Sequence, residues 1–297
     1  MYASTPRRLS ALVVLLIIAA TSPIAEAEKP DGAGGQNPCG WRLGTQAYTF
    51  NHYTFFEAID KTASLGLRYI EAYPGQKLSQ DQPNVVFDHN ASDKVIEAVQ
   101  AKLKQAKLKL VNYGVVSLGS DEAADRKVFD FAKKLGIETI VAEPKPGSFD
   151  LLDRLTDEYG INIAIHNHPR PSRYWNPQTV LKAIKGHSAR IGACADTGHW
   201  MRSGIHPLDA VRQLEGHIIS FHFKDLNEFG VRTAHDVPWG TGKADIRAIL
   251  AELKRQGFHG VFSIEYEYHW TSSLPEISQC VAYFRHVVRD LCPCKKP

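Results

Sequence analysis

The chain has 297 residues, with 35 basic and 32 acidic side chains for a formal net charge of +3, and is 43% hydrophobic and 23% charged. This balance fits a globular protein and excludes disordered, collagen-like and coiled-coil chains. So small a positive charge provides no field for nucleic acid, and at roughly 100–200 residues per domain the length allows one large domain or two small ones.

Arg7 and Arg8 precede an apolar run from Ala11 to Ala20, and Ala25-Glu26-Ala27 closes the segment. A charged start, a short apolar stretch and an A-x-A site predict a signal peptide over residues 1–27, cut after Ala27. The run is too short to span a bilayer comfortably. The expectation is a periplasmic or secreted protein with no membrane anchor after cleavage. Residues 28–38 are polar and Gly-rich and read as a flexible lead-in, which leaves residues 39–297 as the folded domain. Export permits disulfides. Five cysteines are an odd number, so at least one stays free or pairs between chains. Chain termini often lie close together, so Cys39 is expected to pair with Cys292 or Cys294. A zinc site there would lack a second ligand pair. Cys194 sits in an apolar run and reads as a buried small hydrophobe.

From Cys39 onward, short β-rich runs alternate with segments of helical period. In chain order the predicted strands are Arg42–Tyr48, Arg68–Ala72, Lys109–Val115, Thr139–Glu143, Asn162–His166, Arg190–Asp196, Ile218–Phe223 and Val261–Tyr266. The helices that follow them are Phe55–Leu65, Ser92–Gln105, Glu122–Leu135, Phe149–Tyr159, Pro177–Lys185, Pro207–Leu214, Ile246–Gln256 and Leu274–Arg289. Ser92 and Asp121 are predicted N-caps, and Pro177 and Pro207 occupy first-turn positions. Eight such units predict a single-domain (β/α)8 TIM barrel, whose site is built at the C-terminal strand ends.

Those ends carry Gln46, Glu71, Asn112, Glu143, His166 with His168, Asp196 with His199, His222 with Lys224, and Glu265 with Glu267. Side chains alternate along a strand, so His222 and Lys224 share a face, as do Glu265 and Glu267. Converging carboxylates and imidazoles suit one divalent metal ion such as Mn²⁺, Co²⁺ or Zn²⁺. Aromatic residues after the strands (Tyr48, Phe50, Tyr73, Trp175, Trp200, Trp239 and Tyr268) offer either faces for a sugar or ordinary rim packing. Arg170 and Arg173 on the loop after the fifth strand offer substrate contacts or simple solvation.

The segments Ala195-Asp196-Thr197-Gly198-His199, Ser220-Phe221-His222-Phe223-Lys224-Asp225, His235-Asp236-Val237-Pro238-Trp239-Gly240-Thr241-Gly242 and Ser263-Ile264-Glu265 resemble the xylose isomerase-like TIM barrels. That group includes sugar epimerases, hydroxypyruvate isomerases, inosose dehydratases and endonuclease IV-type nucleases. The resemblance implies a metal held from strands five to eight, the last three ligands falling on Asp196, His222 and Glu265. The family most often has Glu at the strand-five position. Here His166 stands there, so the first ligand is either His166 or Glu143. By the same resemblance His199 contacts a substrate oxygen, and the loop of His235 and Trp239 lies near the pocket. His168, Lys224 and Glu267, at the strand ends, are further candidates for the substrate site.

The chemistry expected of such a site is proton removal next to a carbonyl, through a metal-stabilised enediolate. Glu143, Glu265 and Glu267 are the candidate bases, and His199 and Lys224 are candidate partners of the developing charge. Reprotonation gives an isomerase or epimerase, and loss of a β-hydroxyl gives an inosose dehydratase-like lyase. A nuclease-type hydrolase or a non-catalytic sugar-binding barrel is the remaining alternative. With no Gly-rich phosphate loop, the expected partner is a small non-phosphorylated sugar or keto-sugar.

Overall fold

The computed structural model describes Met1, residues 37–119 and residues 121–293. The predicted signal peptide, most of the lead-in and Cys294 lie outside the described residues. Strands β1 (Arg42–Gln46), β2 (Tyr69–Ala72), a hairpin of β3 (Gln76–Ser79) and β4 (Gln82–Phe87), β5 (Lys109–Val116), β6 (Thr139–Ala142), β7 (Asn162–His166), β8 (Ile191–Asp196), β9 (Ile218–Phe223) and β10 (Val261–Ile264) follow in order. All but the hairpin close into one barrel in the order β1-β10-β9-β8-β7-β6-β5-β2. Every neighbouring pair in it is parallel.

Helices α1 (Phe55–Ser64), α2 (Asp93–Ala106), α3 (Glu122–Leu135), α4 (Phe149–Tyr159), α5 (Pro177–Ile184), α6 (Thr197–Arg202), α7 (Pro207–Gln213), α8 (Ile246–Arg255) and α9 (Leu274–Leu291) complete the barrel. The predicted (β/α)8 architecture is therefore the observed one. Local chemistry sets the helix ends. Thr54 and Glu57 form a reciprocal capping box on α1, and the Asp121 side chain accepts from the Ala124 amide. Pro177 and Pro207 open α5 and α7, and Gly136 ends α3 in the left-handed conformation.

Besides the unpredicted β3–β4 hairpin, two elements differ from the sequence reading. Tyr48 leaves β1 for a tight 3-10 turn at Ala47–Phe50, because the Gln46 side chain accepts the Tyr48 amide. Asp196 caps the unexpected α6 by accepting the His199 amide at 2.7 Å, so the chain turns helical as soon as β8 ends.

Alternation along the strands fills the barrel interior beneath the site. Ala164 and Cys194, two residues before His166 and Asp196, pack with Val141 as a buried cluster separate from the main core. Cys194 and Cys280 are free and buried. Cys39 is bonded to Cys292 across 253 residues of sequence, with Cα atoms 5.5 Å apart. This bond ties the lead into β1 to the end of α9. Breaking it in a Cys39→Ser/Cys292→Ser variant should cost roughly 2–4 kcal/mol of stability in denaturant titrations. Equal midpoints for variant and wild type would deny the bond a structural role.

Candidate metal and carbohydrate site

At the C-terminal mouth of the barrel, His166 from β7, Asp196 from β8, His222 from β9 and Glu265 just after β10 each turn one donor atom inward. These four atoms all lie within 4.8 Å of one another, and all four residues are buried. The contacts inside this group need a cation. Glu71 on β2 accepts the His222 Nε2–H at 2.7 Å, which leaves Nδ1 facing Glu265 Oε2 at 3.1 Å. His222 Nδ1 and both ring nitrogens of His166 are buried without a hydrogen-bond partner. Unpaired buried polar atoms are costly, and here they aim at two carboxylates. The residues present therefore fit a divalent ion.

Protonation states at His166, Asp196 and Glu265 agree with that fit, whereas at His222 a proton competes with the ion. Burial holds the His166 pKa below the ordinary histidine value, so its ring keeps a lone pair. Burial would push Asp196 up, but His199, Lys224 and His166 hold it well below the carboxylate range. Glu265 is likewise held low against its burial by Lys224 and His222. Burial opposes charge on His222, yet Cys194, Glu71 and Glu265 push its pKa well up, so positive charge is favoured at that ring.

The Glu71 carboxylate also accepts from Ser263 Oγ at 2.6 Å and from Asn112 Nδ2 at 3.2 Å. Partners behind a ligating imidazole fix its orientation and raise its basicity.

Lys224 has no exposed surface. Its Nζ donates to Asp196 Oδ2 and to Glu267 Oε2, each at 3.0 Å, and forms an ion pair with Glu265 Oε2 at 2.7 Å. Three carboxylates thus surround the three hydrogens of one ammonium group.

A cavity of about 400 Å³ opens above the group. His166, His168, His199, Glu265 and Glu267 form its polar wall, and Gln46, Tyr48, Tyr73 and Pro74 form the opposite rim with Gly114 and Val115. Of the two candidates for the first ligand, His166 belongs to the convergent four and Glu143 does not. Glu143 forms a close ion pair with His168, lies 4.0 Å from His166 Nδ1, and makes with these two histidines a second, adjacent group able to hold a metal ion.

Other candidates fall outside the cavity. Trp239 is 2% exposed and packs edge-on against Phe223 and Phe284. It is core, because its loop turns inward once Asp225 has captured the amides of Gly240, Gly242 and Ala244. Phe50 and Trp200 are also buried in the core. His235 stacks on Tyr268, and neither ring lines the cavity. Arg170, Arg173 and Trp175 do not line it either.

Arg202, unremarked in the sequence, proves central. It sits one turn beyond His199 on α6, and its guanidinium reaches Glu267, His199 and Asp236. A His-x-x-Arg spacing on a short helix directly after a strand is the signal that would have flagged it.

The chain matches the xylose isomerase-like TIM barrel family over residues 59–285. It belongs to that family. An inosose isomerase of Bacillus velezensis is 25% identical over 250 residues, which is 74% of this chain and 86% of that protein. A crystal structure of a putative uncharacterized protein from Parabacteroides distasonis superposes with a TM-score of 0.68 at 34% identity, covering 83% of this chain and 99% of that one. A structure of IOLI protein with a binding zinc atom gives a TM-score of 0.63 at 20% identity, over 84% of this chain and 99% of that one.

Three outcomes test this geometry. Glu71→Gln should weaken divalent-metal affinity roughly 10–100-fold in chelator competition; unchanged affinity would remove Glu71 from the metal site. Trp239→Ala should cost about 3–5 kcal/mol of stability, while Trp239→Phe should retain sugar binding. Burial pushes the Asp236 carboxyl up to about 8, against an ordinary value of about 3.9. Between about pH 4 and pH 8 the unfolded chain releases this proton while the folded one keeps it, so stability falls as pH rises. Asp236→Asn should remove that fall, and an identical pH dependence in the two proteins would contradict it.

Proposed function

We propose that this protein is a metal-dependent carbohydrate isomerase or epimerase that removes a proton next to a carbonyl of a non-phosphorylated sugar or keto-sugar. The observation that carries this reading is the convergence of His166, Asp196, His222 and Glu265 beside a sugar-sized cavity that His166 and Glu265 line. Two imidazoles and two carboxylates suit a first-row divalent ion such as Zn²⁺, Mn²⁺ or Co²⁺. When bound, such an ion polarises a carbonyl and stabilises negative charge on its oxygen.

The chain's own residues account for the rest. Glu265 is ionised and lines the cavity, and its Oε2 is engaged by Lys224. Proton removal therefore falls to Oε1. Lys224 keeps Asp196 and Glu267 in place through the same ammonium group. His168, held by Glu143, and His199 line the wall next to Glu265, where they orient hydroxyl or carbonyl oxygens. Tyr48 and Tyr73, packed edge to face at 5.1 Å, give the other side an apolar surface. Among the described residues no Lys or Arg lines the cavity, which argues against a phosphorylated substrate. The inosose isomerase similarity supports the isomerase reading, and the zinc in the IOLI protein supports the metal. The Cys39–Cys292 bond supports export to an oxidising compartment, as the predicted signal peptide implies.

The test is proton–deuterium exchange, followed by NMR over a panel of free and keto-sugars with metal-supplemented protein. Exchange at a carbon next to a carbonyl is expected, and Glu265→Gln should slow it by roughly 10²-fold or more. An unsaturated product formed with loss of water would place the protein among lyases. Absence of exchange with every sugar would overturn the proposal.

A further inference from the structure

His199 is a third imidazole beside the metal group. Its ring lies 5.7 Å from that of His166, and its Nε2 lies 3.6 Å from Asp196 Oδ2. Yet it is not among the four residues whose donor atoms converge. The other side of the ring has a partner of its own. Arg202 Nη1 points at His199 Nδ1 from 3.2 Å. A guanidinium has only hydrogens to offer, so Nδ1 must be the acceptor. The ring hydrogen then sits on Nε2. A ring carrying both hydrogens would set an Nδ1–H against the Arg202 N–H, and the opposite tautomer would do the same.

Arg202 cannot easily turn away. Nη1 also donates to Glu267 Oε2 at 3.0 Å, Nε donates to the Ala234 carbonyl at 3.1 Å, and Nη2 lies 3.5 Å from Asp236 Oδ2. The side chain is 11% exposed, so few alternative partners are within reach.

We propose that Arg202 is a positioning residue that locks His199 in its Nε2–H form, so that the cavity meets a hydrogen-bond donor there and not a lone pair. Two consequences follow for the site. A donor at Nε2 selects an acceptor oxygen, a carbonyl or its anion, at that point of the cavity. It also denies the metal a fifth protein ligand, which keeps coordination positions for substrate oxygens. The identity of the acceptor as a sugar oxygen rests on the proposed function; the tautomer itself does not.

The experiment is a long-range proton–nitrogen correlation spectrum of the zinc-loaded protein labelled with ¹⁵N-histidine, with His199 assigned by its loss in a His199→Gln variant. Wild type should show a pyrrole-type Nε2 and an imine-type Nδ1 at His199, with no substrate added. Arg202→Lys retains a donor and should preserve the pattern, whereas Arg202→Met should shift it toward mixed tautomers. A hydrogen on Nδ1 in the wild type would overturn the proposal even if the Met variant failed to fold, as would an unchanged pattern in a folded Arg202→Met. A normal tautomer together with no exchange on any sugar would sink the carbohydrate reading and leave the role of Arg202 standing.

Discussion

The mouth of this barrel depends on one buried ammonium group. Each ion taken out of water costs several kcal/mol unless it is paired and fully hydrogen-bonded. Lys224 meets that condition with three carboxylates around its ammonium group, and Asp196 and Glu265 remain ionised in the interior because of it. The surrounding backbone is shaped to let the lysine in. Thr197 Oγ1 donates to the Lys224 carbonyl and accepts its amide. A Cβ on Gly198 would lie 2.8 Å from Lys224 Cδ, so the stem of the lysine passes where any other residue would stand. The D-T-G-H and H-F-K-D segments are thus two halves of one structure.

Glu71 plays the corresponding part for the imidazole side. It receives hydrogen bonds from β5, β9 and β10 while standing on β2. One carboxylate therefore ties four barrel strands together and orients His222. Charges of opposite sign anchor the two sides of the site, and both are wholly shielded from water. This arrangement makes the group intolerant of single removals, since the surviving partner is left as an uncompensated buried charge.

The periodic pattern of strands and helices carried most of the fold, because the hydrophobic face of each element repeats with its geometry. The β3–β4 hairpin escaped notice because Gln82-Pro83-Asn84 shows no apolar alternation and β4 is largely exposed. Helix α6 is a six-residue element too short to display a period. At the site, strand-end residues were legible because a barrel concentrates them on one face. What the sequence could not display was direction across the barrel: that Glu71 backs His222, that Glu143 pairs with His168, or that Arg202 on α6 reaches Glu267 beyond β10. Trp239 shows the converse error. An aromatic after a strand looks like a rim residue until the loop's path is known, and here the Asp225 carboxylate pulls that loop inward.

The Cys39–Cys292 bond joins the lead into β1 to the end of α9, the helix that follows β10, in a barrel whose first and last strands, β1 and β10, are neighbours. Closure by hydrogen bonds is thereby matched by closure in the covalent chain, and residues 39–292 form a ring. A single cut by a protease in any loop opens that ring without separating two pieces. The polypeptide behaves as though it had already been circularised, and the place where its ends meet becomes arbitrary to the barrel.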